Sequence, residues 1–185
     1  GRLKIIANLP YSISNPFIFK LIENRCHVEK ATIMLQKEVA DRLLAGPGSK
    51  DYGIPSVLLQ HCARVRKMMT LGPAEFHPQP KIDSVVIQIV FPLLQAGSDG
   101  LSPEETEFFP RIVRAAFSQR RKTILNTLTS ANFFPTLVDR NEVRKLTEDA
   151  IIAAGLSPQV RPETLPITAF EDLSRSFLRL RPETV

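Results

Sequence analysis

Tryptophan is absent from this chain of 185 residues, and cysteine, histidine and glycine are sparse, at two, three and eight residues. Cys26 and Cys62 show no metal-ligand spacing with each other or with the scattered His27, His61 and His77, so neither a zinc site nor a Ser-His-Asp triad is expected, and no other metal. Two cysteines in a chain of this size read as reduced core thiols rather than a disulfide. None of the glycines forms a G-x-G-x-x-G run behind a strand, and no strand-end acid accompanies one, so the usual turn for close backbone approach to a nucleoside is missing. No apolar stretch approaches the roughly 20 residues of a membrane span, and no signal-peptide pattern opens the chain. A cytoplasmic protein with no membrane partner is expected.

What is present is a 43% hydrophobic content, enough to bury a core, and a net charge of +5. The charge is uneven. Residues 1–95 hold twelve Lys or Arg against seven Asp or Glu, whereas residues 96–185 hold twelve of each. In that neutral half Arg111, Arg114, Arg120, Arg121 and Lys122 follow one another without an intervening acid, downstream of Glu104, Glu105 and Glu107. Acids at a helix start and bases towards its end complement the helix dipole; the same bases also suit the phosphates of a nucleic acid.

Leu3–Ala7 is an apolar run that reads as a strand, and Asn8-Leu9-Pro10-Tyr11 follows it directly. This places a side-chain amide, a backbone carbonyl fixed by the following proline and an aromatic ring at the carboxyl end of a sheet strand, where open α/β folds bind ligands. The amide oxygen and the Leu9 carbonyl can accept the two hydrogens of an exocyclic amine, and the Tyr11 ring can lie on the base. A strand-end turn rich in Asn and Pro also has a purely conformational reading. A second segment, Phe76-His77-Pro78-Gln79-Pro80-Lys81-Ile82-Asp83-Ser84, runs into the β-branched Val85-Val86-Ile87-Gln88-Ile89-Val90. Its prolines stiffen the backbone and present Phe76 as a second aromatic face or, alternatively, as a core plug.

In order and separation these segments resemble the ribosomal RNA adenine dimethyltransferases, the kasugamycin-resistance methyltransferase family. Asp51-Tyr52-Gly53, Ser56-Val57-Leu58-Leu59-Gln60, Ala116-Phe117-Ser118-Gln119-Arg120-Arg121-Lys122-Thr123-Ile124 and Arg161-Pro162-Glu163-Thr164-Leu165 extend the resemblance along the chain. The resemblance implies S-adenosylmethionine-dependent dimethylation of the 6-amino groups of two adjacent adenines in small-subunit ribosomal RNA, within an assembling subunit. It casts Asn8, Leu9, Pro10 and Tyr11 as the catalytic segment, Tyr11 and Phe76 as base-stacking residues, and Asn8 also as a cofactor contact. Lys81, Arg120, Arg121 and Lys122 become RNA contacts. Because the glycine-rich cofactor loop is missing, the chain reads as a C-terminal portion, inactive alone, whose strand 3–7 pairs with a missing N-terminal half or with a second chain. Three alternatives stand beside this reading: a non-catalytic ribosomal RNA-binding or assembly module, a large-subunit enzyme of the erythromycin-resistance type, and another amine methyltransferase that shares the Asn-x-Pro-aromatic turn.

The expected architecture is α/β: the C-terminal part of a Rossmann-like methyltransferase sheet over 1–94, a linker over 95–102, and a helical RNA-binding domain over 103–185. Strands are expected over Leu3–Ala7, Lys30–Leu35, Arg64–Thr70 and Ser84–Phe91, with the last two antiparallel. Helices are expected over Pro16–Glu23 behind Asn15 as cap, Lys37–Leu44 and Ile54–Cys62, then near 103–118, 120–131, 141–154 and 168–180. Ser102-Pro103-Glu104-Glu105 is a strong helix start.

Overall fold

The computed structural model describes residues 1–93, 101–134 and 136–181, apart from the side chain of Tyr11; the expected linker at 95–102 lies mostly outside the described residues. The chain divides into two compact units, Gly1–Gly46 with Asp51–Asp99 and Pro47–Lys50 with Gly100–Val185.

The first unit is α/β. Its elements run β1 (Leu3–Asn8), a 3₁₀ turn (Tyr11–Ile13), α1 (Ser14–Glu23), β2 (Val28–Gln36), α2 (Lys37–Leu44), α3 (Ile54–Cys62), β3 (Arg64–Leu71) and β4 (Ser84–Val90). The four strands lie in the order β1-β2-β4-β3. β1 and β2 are parallel, joined by α1, whereas β4 is antiparallel to both neighbours. Alternation along β2 and β4 sends Ala31, Ile33, Leu35, Val85, Ile87 and Ile89 to one face, where Ile18 and Leu21 of α1, Leu43 of α2 and Leu59 of α3 cover them. The opposite face carries a polar row instead. Arg66 donates two hydrogen bonds to Gln88 Oε1 at 3.1 and 2.8 Å, and Gln88 Nε2 donates to Thr32 Oγ1 at 3.4 Å.

Helices α2 and α3 have the expected bounds, but α1 does not start behind Asn15. The Ile13 N–H donates to the Pro10 carbonyl at 3.1 Å and the Ser14 hydroxyl to the same oxygen at 3.4 Å, so a 3₁₀ turn feeds the helix two residues early. Asn15 and Pro16 then occupy its first turn, where Pro lacks only a donor that would be unpaired anyway. Of the cysteines only Cys62 is a core thiol; Cys26 is exposed in the turn between α1 and β2, and neither is in a disulfide.

The second unit is all-α over α4 (Pro103–Ala116), α5 (Ile124–Ala131), α6 (Arg140–Ala153) and α7 (Ile167–Arg179). α4 packs on α5 and α7, and α6 packs on the same two helices. A phenylalanine chain fills the centre: Phe133 meets Phe108 and Phe177 edge to face at 5.2 and 5.4 Å, and Phe134 stacks on Phe177 at 5.7 Å. Asn132, in the left-handed conformation at φ 47°, ends α5 and leads the chain into the buried Phe133 and Phe134. At the start of α4 the Glu105 N–H donates to Ser102 Oγ at 3.2 Å while the Ser102 N–H donates to Glu105 Oε2 at 2.7 Å. Ser102→Ala removes half of that reciprocal pair; the expected cost is about 1 kcal/mol, a fall of roughly 4–8 °C in the unfolding midpoint of this unit by calorimetry.

α5 starts at Ile124, not at 120. The Ile124 and Leu125 N–H groups donate to the Val160 and Pro158 carbonyls at 3.0 and 3.3 Å, so tertiary partners satisfy the first turn of the helix, and residues 119–122 form a separate turn in which the Lys122 N–H donates to the Gln119 carbonyl at 3.0 Å. The basic triplet Arg120-Arg121-Lys122 therefore stands on the connection between α4 and α5.

Candidate functional site

The carboxyl end of β1 and the segment preceding β4 close around one cavity of about 330 Å³ within the first unit, of a size suited to a small ligand. Asn8, Leu9 and Pro10 form one wall, Phe76, Pro78 and Pro80 another, and Met34, Leu35 and Ser84 complete it. The two motifs, about seventy residues apart in sequence, thus share a site because β4 inserts beside β2 and carries its leading loop towards the end of β1.

Each wall has a local cause. Asn8 is the last residue of β1, directly opposite Met34 in the parallel register. Leu9 is 7% exposed, anchors in the core, and its N–H reaches the Met34 carbonyl at 3.5 Å. Pro10 holds the extended conformation (φ −55°, ψ 140°) that turns the chain into the 3₁₀ turn. Its carbonyl is taken by Ile13 and Ser14, whereas the Leu9 carbonyl has no such partner among the described residues. Across the cavity, Phe76 follows the 3₁₀ turn Pro73–Glu75, its N–H donating to the Pro73 carbonyl at 3.2 Å, and the next peptide but one, His77-Pro78, is cis. Phe76 is half-buried, with part of its surface on the cavity.

Asn8, Leu9, Pro10 and Phe76 are thus brought together. Tyr11 begins the 3₁₀ turn beside them, but its side chain lies outside the described residues. Lys81 is exposed on the loop before β4 and does not line the cavity. Arg120, Arg121 and Lys122 belong to the second unit and are all exposed. The Arg120 guanidinium donates to the Lys50 carbonyl, and Lys122 lines a polar groove with Asn126, Arg140 and Arg144, in which Arg144 donates to Asn126 Oδ1 at 3.3 Å. Sequence reasoning missed Met34, Leu35 and Ser84 as cavity residues. Their signal was the register between strands, which no single strand carries.

The cavity's chemistry is that of recognition. Its lining combines the Asn8 and Ser84 side chains with Leu9, Met34, Leu35, Phe76 and prolines, and among the described residues no group of three or more His, Cys, Asp or Glu could hold a metal ion. Away from the cavity, burial pushes the Tyr52 phenol up to about 12. No helix among the described residues is long and apolar enough to cross a membrane.

Comparison with known proteins extends the picture beyond the cavity. Residues 1–152 match the family model described as ribosomal RNA adenine dimethylase. A "Ribosomal RNA small subunit methyltransferase A" of Desulfotalea psychrophila is 55% identical over 178 residues, covering 96% of this chain and 59% of that protein. One of the same name from Geobacter metallireducens is 41% identical over 179 residues, covering 97% and 61%. Among solved structures, a dimethyladenosine transferase from Plasmodium falciparum superposes with a TM-score of 0.77 at 27% identity, covering 97% of this chain and 68% of that one. The 23S rRNA methyltransferase ErmE superposes with a TM-score of 0.61 at 19% identity over 95% of this chain, a likeness of fold. The chain spans about three fifths of the length of the curated relatives it matches. With the Asn-x-Pro-aromatic turn and the Phe76 loop meeting in one cavity and the family model running through most of both units, the chain belongs to the ribosomal RNA adenine dimethylase family.

Proposed function

We propose that this chain is the acceptor-base and RNA-contacting portion of an enzyme that dimethylates the 6-amino group of two adjacent adenines in small-subunit ribosomal RNA, acting in the cytoplasm on an assembling subunit. The observation that carries the proposal is the convergence of Asn8, Leu9 and Phe76 on one cavity. The Asn8 amide oxygen and the free Leu9 carbonyl accept the two amine hydrogens, drawing the nitrogen out of conjugation and leaving its lone pair directed at an electrophile. Phe76 offers one face to a base turned out of the RNA, and Tyr11 is assigned the other.

The methyl donor that family membership implies is S-adenosylmethionine, which supplies an electrophilic methyl group when bound. The residues present fit only the acceptor side of such a site. Asn8 is assigned a contact to both ligands, and none of the described glycines lies in a close cradle, each having open space where a Cβ would stand. The chain alone is accordingly expected to bind the donor weakly and to be inactive.

The apolar edge of β1 supports a further part of the reading. Ile6 is 89% exposed and no strand flanks the outer side of β1 among the described residues, so strand 3–7 is assigned to pairing with a further segment of polypeptide. Residues 1–94 then serve as the C-terminal part of the catalytic domain and 103–185 as the RNA-binding domain.

Transfer of labelled methyl groups to adenines of small-subunit RNA, measured with the full-length protein and immature subunits, tests the proposal; a product labelled elsewhere than at the 6-amino group overturns it. Phe76→Ala is expected to lower kcat/KM by about 5- to 150-fold, the value of one stacking face at roughly 1–3 kcal/mol, with little change in the unfolding midpoint. A fall of many degrees in that midpoint with turnover intact assigns Phe76 to the core instead.

A further inference from the structure

Ser84 is the first residue of β4, lines the cavity and is only 3% exposed. Val85 points to the helix-covered core, so Ser84 shares the opposite face with Val86. Val86 stands opposite Met34, and Met34 opposite Asn8, which puts Asn8 and Ser84 on the same face of the sheet with β2 between them. Among the described residues lining the cavity, these are the two whose side chains carry a conventional hydrogen-bonding group.

Among the described residues, several buried hydroxyls elsewhere are satisfied by backbone carbonyls. Ser56 donates to the Arg42 carbonyl at 2.6 Å, and Thr147 and Ser174 each donate to the carbonyl four residues earlier at 2.8 Å. Ser84 forms no such bond among the described residues and opens onto the cavity instead. A buried hydroxyl in that position is satisfied by whatever enters.

An adenine presents its amine between two acceptors, ring nitrogens N1 and N7. The oxygens of Asn8 and Leu9 serve the amine and cannot serve a ring nitrogen, which requires a donor. A second point of recognition across the base must come from another wall, and the Ser84 O–H stands on one.

Resting on the adenine-methylation reading, we propose that Ser84 determines base specificity: its hydroxyl donates a hydrogen bond to a ring nitrogen flanking the reactive amine. The cavity then admits an amine beside an acceptor. A base with an oxo group in place of the amine meets acceptor with acceptor at Asn8 and Leu9, and a base with carbon in place of that ring nitrogen leaves the buried Ser84 hydroxyl unpaired.

The test compares kcat/KM of the full-length protein and its Ser84→Ala variant on RNA carrying adenine, 1-deazaadenine or 7-deazaadenine at the target position. The wild type is expected to lose about ten- to a hundredfold on one of the two analogues, and Ser84→Ala to lose the same on ordinary adenine with no further loss on that analogue. Wild-type rates that are equal on all three bases, or losses that multiply between variant and analogue, overturn the proposal. Should Ser84→Ala fail to fold, as a thermal melt reveals, Ser84→Cys takes its place in the same comparison, retaining the size with a weaker donor. A wild type that methylates no adenine at all defeats the underlying reading rather than the assignment of Ser84 alone.

Discussion

Asn8→Ala in the full-length protein is expected to lower kcat by between several-fold and about a thousandfold while RNA affinity stays within about twofold. The amide stands at the carboxyl end of β1, on the cavity wall opposite Phe76, and is exposed towards whatever base enters. Its oxygen accepts a hydrogen whose acidity grows as the amine nitrogen turns tetrahedral and gains positive charge, so the bond is stronger in the transition state than in the bound complex. Loss of an interaction of that kind appears in kcat rather than in binding. Single-turnover methylation at saturating enzyme separates chemistry from product release, and filter binding reports affinity. Turnover equal to wild type removes Asn8 from the mechanism; equal losses in kcat/KM and affinity with kcat unchanged make it a binding residue only. Asn8→Asp is the informative companion, since it keeps an acceptor in place and adds a charge.

Replacing Arg120, Arg121 and Lys122 together by Gln is expected to weaken RNA association by about a hundredfold near physiological salt, taking roughly 1 kcal/mol for each phosphate contact. The slope of log affinity against log salt should fall by about two units, because each lost contact leaves its counterions condensed on the RNA. All three side chains are exposed on the α4–α5 connection rather than along a helix, so they have no dipole to complement there. That placement favours a solvent-facing task over helix capping. Arg120 is partly committed to the Lys50 carbonyl, so single substitutions should rank Arg121 and Lys122 above it. Equal salt slopes for variant and wild type defeat the assignment, and an unchanged unfolding midpoint keeps the loss from being laid to misfolding.

The parts of this fold legible in the sequence were those decided locally. Lys37–Leu44 and Ile54–Cys62 were recognisable by apolar spacing and punctuation, and Ser102 with Glu105 by a reciprocal cap that needs nothing from the rest of the chain. What local reasoning missed was settled at a distance. The α5 start depends on carbonyls of Pro158 and Val160, far downstream of the Leu125 and Ile124 N–H groups they accept from. Which face of a helix is covered depends on its partners, so Ala115, Phe117 and Leu146 are only half-buried while Phe109, Phe133 and Phe134 fill the core. The cavity follows the same division. Asn8 and Phe76 announced themselves by residue type and neighbours, whereas Met34 and Ser84 are ordinary strand residues until the β1-β2-β4 register sets them between those two.

The position of β4 also orders events during synthesis. β2 and β3 make no ladder with each other; each pairs with β4, the last of the four strands to leave the ribosome, in contacts that join Lys30 to Val90 and Arg64 to Val90. Until residues 84–90 emerge, β1 and β2 are the one pair among these four strands that can assemble, and β3 is unclaimed. Pairings of such long sequence separation close late and slowly. The Phe76 wall is drawn against Asn8 only when β4 pairs between its neighbours, so the growing chain has no such cavity until these four strands are joined.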